Sequence, residues 1–144
     1  MDGTLVIKAE VKLAALSKLL SGVAVPSLAV AQSTPATPAQ MADLLSRIDQ
    51  KSVHFLRAIA ADPAGSITWK EMRTIFGLGK KDWSGYSRSY GKGITRAFRS
   101  ALGGHKSARL IWWEDYIWDF HDWDDPEVKV HIDGPALVAL REAL

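Results

Sequence analysis

The hydrophobic positions between residues 38 and 61 recur at helical spacing. Apolar side chains stand three or four residues apart, at Met41, Leu44, Leu45, Ile48, Phe55, Leu56 and Ile59. Such a stripe is typical of an amphipathic helix that packs one face on a core. Thr37 precedes Pro38 and stands three residues before Gln40, which is the spacing of a capping box. We therefore predict a helix from residue 38 that either continues to residue 61 or breaks into two near residues 49–52.

A short helix is predicted over residues 69–76 by the residues at its two ends. Thr68 and Glu71 have the spacing of another capping box at its start. Gly77 follows its last residue and can end the helix, because glycine adopts left-handed backbone angles without a steric cost.

Residues 86–104 predict a helix with one apolar face and one cationic face. At about 100° per residue, its apolar side chains fall on one side, at Tyr90, Ile94, Ala97, Phe98 and Ala101. Its cations fall nearly opposite, at Arg88, Lys92, Arg96 and Arg99. A glycine pair at residues 103–104 supplies the stop. Because Gly91 and Gly93 weaken the first turns, the helix begins either at residue 86 or only at Gly93.

Two segments near the C-terminus have the composition of β-strands. Residues 108–113 read ARLIWW and residues 128–132 read VKVHI, with the alternation of apolar and polar positions clearest in the second. Residues 114–127 between them are acidic and aromatic, and they are too long for a tight turn. The pattern predicts a hairpin with a long loop. Asp133 is a suitable cap for a final helix over residues 136–144.

The first 37 residues are expected to form an arm and a linker. In residues 1–25, a β-branched stretch leads into leucines at helical spacing, which predicts a short strand and helix or one continuous helix. The leucine stripe packs either on the protein's own core or on a second copy, as a dimerisation arm. Residues 26–37 mix proline, serine, threonine and alanine without periodicity, as linkers do. Residues 38–144 are then the main domain.

The apolar run near the N-terminus has a superficial likeness to a secretory leader. Lys18 interrupts this run, and the acidic residues Asp2 and Glu10 stand where such a leader carries positive charge. No apolar stretch reaches the roughly 18 residues that spanning a bilayer requires. We expect a cytoplasmic protein that does not enter a membrane, with secretion as the less favoured alternative.

Charge is strongly segregated along the chain, which the net charge of +2 hides. Residues 80–109 carry eight lysines and arginines and one aspartate, whereas residues 114–127 carry seven carboxylates and neither lysine nor arginine. A surface with a single sign of charge favours a partner of the opposite sign. The basic segment therefore predicts an anionic partner.

The sequence contains no motif that indicates catalysis or a bound cofactor. It has no cysteine, no G-x-S-x-G nucleophile elbow and no glycine-rich phosphate loop. The aspartates and the histidine of residues 119–125 lack the glycine and glutamate spacing of a calcium loop. Clustered tryptophans are expected to pack in the core and hairpin, with stacking on bases or sugars as the alternative; they are Trp112, Trp113, Trp118 and Trp123. We predict a binding module that is not an enzyme and has no metal or cofactor.

The order of the predicted elements resembles the winged-helix variety of the helix-turn-helix family. It runs helix, short capped helix, turn, basic amphipathic helix, strand, loop, strand, helix, over about residues 45–144. In that family the third helix enters the DNA major groove and the hairpin forms the wing. The resemblance implies an α+β fold with a three-helix core, a β-hairpin wing and a C-terminal helix, preceded here by the strand and helix arm. Residues 67–76 would be the supporting helix and residues 86–102 the recognition helix.

Charge and resemblance together predict a protein that binds double-stranded DNA, as a homodimeric regulator or accessory factor of transcription. The predicted contacts are seven cations and one hydroxyl, namely Lys80, Lys81, Arg88, Lys92, Thr95, Arg96, Arg99 and Lys106. Arg96 is the first candidate for a base contact, because it lies in the middle of the cationic face. The alternative is that this face is only solvated, as many amphipathic helices are.

The acidic segment, residues 114–127, does not fit a simple DNA-binding wing, because the duplex would repel its carboxylates. It either points away from DNA, pairs with the basic helix of a neighbouring subunit, or docks another protein. The alternative function is therefore a winged-helix-like adaptor that binds a protein partner through this hairpin.

Overall fold

The computed structural model describes residues 32–113 and 123–144, and these form helices and three short strands. The helices are α1 (Pro38–Ser46), α2 (Gln50–Ala61), α3 (Trp69–Phe76), α4 (Trp83–Tyr86), α5 (Lys92–Ala101) and α6 (Gly134–Ala143), and a π-helical turn (Ser87–Gly91) joins α4 to α5. The strands are β1 (Ser66–Thr68), β2 (Trp112–Trp113) and β3 (Lys129–His131). The predicted α+β class is confirmed. The predicted arm at residues 1–25 and most of the acidic loop, residues 114–122, lie outside the described residues.

The three strands form an antiparallel sheet in the order β1-β3-β2. Val130 in the central strand lies opposite Ile67 in β1 and opposite Trp113 in β2. The sequence did not predict β1. A strand of three residues is too short to show an alternating pattern. In addition, Ile67 was assigned to the predicted supporting helix, because the capping box at Thr68 indicates a helix start at that point. The strand precedes that helix directly, and α3 begins at Trp69.

Helix boundaries follow the capping residues that the sequence contains. The chain breaks between α1 and α2 at residues 47–49, so the two-helix alternative is the one adopted. Both capping boxes form, Thr37 with Gln40 and Thr68 with Glu71. Gly77 ends α3 with a φ of 71°, in the left-handed region that favours glycine.

The basic helix starts earlier than either predicted position. The Asp82 side chain accepts a hydrogen bond from the Gly85 backbone N–H at 2.9 Å, and α4 begins at Trp83. The backbone is then helical through the π turn to Ala101. The turn expected before this helix is therefore shorter than predicted, because a local cap overrides the loop-like composition there.

The core lies between the helices and one face of the sheet. α1 packs against α5 and α6, and α2 packs against α3 and α6. An aromatic cluster occupies the centre, with Phe55, Trp69, Phe76, Trp83 and Tyr86 all buried. Their neighbouring ring centroids lie close together, for example 5.0 Å between Trp69 and Trp83 and 5.1 Å between Phe55 and Phe76.

Residues of the predicted linker are hydrogen-bonded to the main body. Ser33 is buried, and its hydroxyl donates to the Leu110 carbonyl while its N–H donates to the Asp133 carboxylate at 2.7 Å. The Thr34 N–H donates to the Arg109 carbonyl at 2.8 Å. These bonds use backbone groups of residues 109–110, so only the last two residues of the predicted strand form β2. They also engage the Asp133 side chain, which therefore makes no cap bond to α6.

Candidate functional site

A cleft of about 460 Å³ lies between α5 and the segment that leads into β2. Its lining is cationic, hydroxyl-bearing and aromatic: Tyr86, Ser87, Gly91, Lys92, Thr95, Arg96, Arg99, Arg109, Ile111 and Trp113. Among these described residues none is acidic. We call this the basic cleft.

The α5 helix supplies most of the polar lining because of its spacing. Lys92, Thr95, Arg96 and Arg99 follow one another at intervals of three, one and three residues, so they share one helical face. Ile94 and Phe98 on the opposite face are almost completely buried. The predicted division of this helix into an inner apolar face and an outer cationic face is therefore present in the structure.

Two of the guanidinium groups are held in place by contacts within the chain. The Nε of Arg99 donates to the Ala108 carbonyl at 2.9 Å, which ties α5 to the segment after its glycine stop. The guanidinium carbon of Arg109 lies 4.3 Å from the ring centroid of Trp112 and 5.1 Å from that of Trp113. Cation–π contacts and hydrogen bonds of this kind restrict side-chain rotation, so these cations lose less entropy when they bind.

Tyr86 forms the buried floor of the basic cleft. The residue is 1% exposed, and its ring packs against Phe55, Phe76 and Trp83. Burial raises the pKa of its phenol, and no charge or hydrogen bond from the described residues offsets that rise. A Cβ at Gly91 would come within 3.3 Å of the Tyr86 ring, so glycine permits this close approach.

Four of the eight predicted contact residues line the basic cleft: Lys92, Thr95, Arg96 and Arg99. Lys81, Arg88 and Lys106 are exposed outside its lining. For Arg88 the reason is the π turn, in which the Lys92 N–H bonds to the carbonyl of Ser87, five residues earlier. The extra residue shifts position 88 away from the face that simple α-helical spacing assigns to it.

The eighth predicted residue, Lys80, belongs to a different cluster, which we call the hairpin edge. Its ammonium lies 3.2 Å from an Asp124 carboxylate oxygen, and the other oxygen of that carboxylate accepts from the Arg73 guanidinium on α3. Hydrogen bonds from Arg73 and then from Lys80 lower the pKa of Asp124. The described end of the acidic segment is therefore tied to α3 and to the turn before α4.

Sequence reasoning missed Arg109 and Tyr86 as members of the site. Arg109 was counted in the basic run but assigned to a strand, and its position over two tryptophan rings was not foreseen. Trp113 was expected to pack in the core and hairpin, with stacking on bases or sugars as the alternative, and its ring contacts Trp83. No sequence signal indicates that Tyr86 and Trp113 line one cleft, because that depends on how α5 and β2 pack together.

The described parts of the chain contain no group of three or more His, Asp or Glu side chains that could hold a metal ion. None of the helices in these parts combines the length and apolar character needed to cross a bilayer. Comparisons with protein-family models, with curated proteins and with solved structures find no match. The site is therefore interpreted from its own geometry and charge.

Proposed function

We propose that this chain is a winged-helix protein that binds double-stranded DNA through the basic cleft and the exposed face of α5. The supporting observation is the basic cleft itself, in which four cationic side chains converge and no described carboxylate intervenes. Its role would be that of a regulator or accessory factor of transcription.

The arrangement of the elements supports the winged-helix part of this proposal. Helix α2, strand β1, helix α3 and the α4–α5 helix precede two strands that pair as neighbours, and β3 lies between β1 and β2. In a winged helix, the helix before the hairpin is the one that enters the major groove. Here that helix is α5, with Lys92 and Arg96 exposed on it.

The charge distribution supports DNA as the partner. Lysines and arginines bind duplex DNA mainly by neutralising phosphates and releasing counterions, and arginine can also pair with guanine in the major groove. Arg96 is exposed on the cleft side of α5, as such contacts require. Thr95 and Ser87 line the same cleft and can donate hydrogen bonds to phosphate oxygens.

The hairpin edge bears on the repulsion expected between the acidic segment and DNA. Asp124 is bound to Arg73 and Lys80, neither of which lines the basic cleft. This carboxylate is therefore partly neutralised by cations that lie outside the basic cleft. Lys80 is left out of the proposed contact set, because a phosphate would have to compete with Asp124 for its ammonium.

Salt-dependent DNA titration tests the proposal. A random-sequence duplex should bind the full chain, with a Kd that rises steeply as salt increases. The double variant Lys92→Ala, Arg96→Ala should bind more weakly. The slope of log Kd against log salt should fall by about 2, since on a random sequence both cations act on phosphates and each lost phosphate contact contributes about 1.

The double variant Lys51→Ala, Arg57→Ala is the matched control. Both residues are exposed on α2, outside the basic cleft, and their loss removes the same net charge. This control should keep most of the affinity and the slope. If both variants lose the same affinity, the loss comes from the change in net charge alone, and the proposed interface is contradicted. Absence of duplex binding at low salt, together with capture of a stable protein partner, would instead favour an adaptor function.

A further inference from the structure

The basic cleft is a concavity as well as a charged surface. Phosphates of a duplex can be contacted from an open surface, whereas this cleft is a concavity of about 460 Å³. That volume is within the range of about 300–1,000 Å³ typical of small-molecule sites. Its lining combines cations with the side chains of Tyr86, Ile111 and Trp113, and the Arg109 guanidinium lies 5.1 Å from the Trp113 ring centroid.

We propose that the basic cleft accepts a single nucleotide, with its phosphate on Arg96, Arg99 and Arg109 and its base against Trp113. The nucleotide is either a free nucleoside 5′-phosphate or an unpaired nucleotide of a DNA strand. The inference deepens the proposed function, because it names what the basic cleft of the same site binds.

The cations of the lining meet the requirements of a phosphate monoester or diester. Arginine presents a planar set of N–H donors that matches phosphate oxygens and keeps its charge at all physiological pH values. The Nε of Arg99 is bonded to the Ala108 carbonyl, which leaves its terminal nitrogens for a ligand. The guanidinium of Arg109 is held over two tryptophan rings. The described lining contains no carboxylate that would repel an anion.

The aromatic part of the lining meets the requirements of a planar base. Aromatic rings stack on nucleobases with little sequence preference, because every base has a π-face. Ile111 adds apolar surface beside Trp113. The Tyr86 hydroxyl belongs to a residue of the cleft lining and can exchange a hydrogen bond with a polar edge of the base.

Calorimetric titration with four probes tests this inference on the full chain. Deoxyadenosine 5′-phosphate should bind with one site per chain and quench tryptophan fluorescence. Inorganic phosphate should bind about tenfold more weakly or worse, because it lacks the stacking contribution. Deoxyadenosine without phosphate should not bind measurably. A single-stranded oligonucleotide that competes with the mononucleotide would indicate an unpaired DNA nucleotide as the natural occupant, and failure to compete would indicate the free nucleotide.

Variants separate the role of the cleft from general folding effects. Arg109→Ala should weaken mononucleotide binding about tenfold or more, and Arg109→Lys should restore only part of it, because the planar fork is lost. Tyr86→Phe keeps the buried ring and should weaken binding with little change in Tm. The Lys51→Ala, Arg57→Ala variant should bind as the wild type does.

The outcomes distinguish this inference from the proposed function. Duplex binding without mononucleotide binding overturns the inference and leaves the proposed function standing. Mononucleotide binding without duplex binding overturns the proposed function and leaves the inference standing. Equal affinity for inorganic phosphate and deoxyadenosine 5′-phosphate would also overturn the inference, because the aromatic side chains would then contribute nothing.

Discussion

The basic cleft and the hairpin edge both contain arginine and lysine, yet they use these side chains differently. At the hairpin edge, Arg73 and Lys80 share the carboxylate of Asp124. In the basic cleft, Arg99 bonds only to a backbone carbonyl and Arg109 lies over aromatic rings. No described carboxylate forms an ion pair with either of these arginines.

The difference shows how a fold separates structural cations from cations that can bind a ligand. A cation paired with a carboxylate is already neutralised, so a phosphate must compete for it. A guanidinium held by a carbonyl or an indole keeps its full charge while its position is fixed. The basic run of the sequence contains both kinds of cation, and only the three-dimensional arrangement distinguishes Lys80 from Arg99.

The largest effect on stability is expected from Phe98→Ala. This variant tests whether burial of the inner face of α5 keeps the cations of the opposite face exposed. Phe98 is fully buried, so its truncation should lower the free energy of unfolding by about 3–5 kcal/mol. Chemical denaturation monitored by circular dichroism measures this change. Ser100→Ala, at an exposed position of the same helix, should change it by no more than about 0.5 kcal/mol. Similar small values for both variants would mean that Phe98 does not face the core.

Much of the helical framework could be predicted because its signals are local. The Thr68 and Glu71 box and Gly77 define α3 at both ends, and the bonds they predict are formed. Strands were harder to predict. β1 is only three residues long, and it exists because β3 pairs with it across more than 60 residues of sequence. A short stretch of sequence contains no signal for pairing between strands that are so far apart in the chain.

The candidate site was only partly predictable for the same reason. Helical spacing correctly placed Lys92, Arg96 and Arg99 on one face of α5. It misplaced Arg88, because a π turn adds one residue before α5 and changes the register. Arg109 joins the site through the packing of a separate segment, which spacing within one helix does not report.

A smaller effect is expected from Asp124→Asn, which should make the hairpin edge resemble the basic cleft. Removing this carboxylate leaves Lys80 and Arg73 without their shared partner, so Lys80 becomes able to contact a DNA phosphate. Duplex affinity should rise, and the slope of log Kd against log salt should become steeper by about 0.9 for the one added contact. Glu127→Gln is the matched control, since Glu127 is exposed and the described residues give it no ion pair. If both variants raise the affinity equally, the pairing of Lys80 with Asp124 is irrelevant to DNA binding.

The smallest effect is expected in the pH dependence of stability, which depends on the same carboxylate. Hydrogen bonds from Arg73 and Lys80 hold the pKa of Asp124 below its ordinary value, so the folded protein favours the ionised form. The resulting stabilisation is fully present above the unfolded pKa of about 3.9 and is lost as pH falls through the lower folded pKa. The difference in Tm between wild type and Asp124→Asn should therefore be constant above about pH 5 and shrink below about pH 4. Differential scanning fluorimetry across this range measures it, with Glu127→Gln expected to give no such shrinkage. A Tm difference that persists at the acid end would show that the aspartate stabilises the hairpin edge by packing, because protonation would then remove nothing.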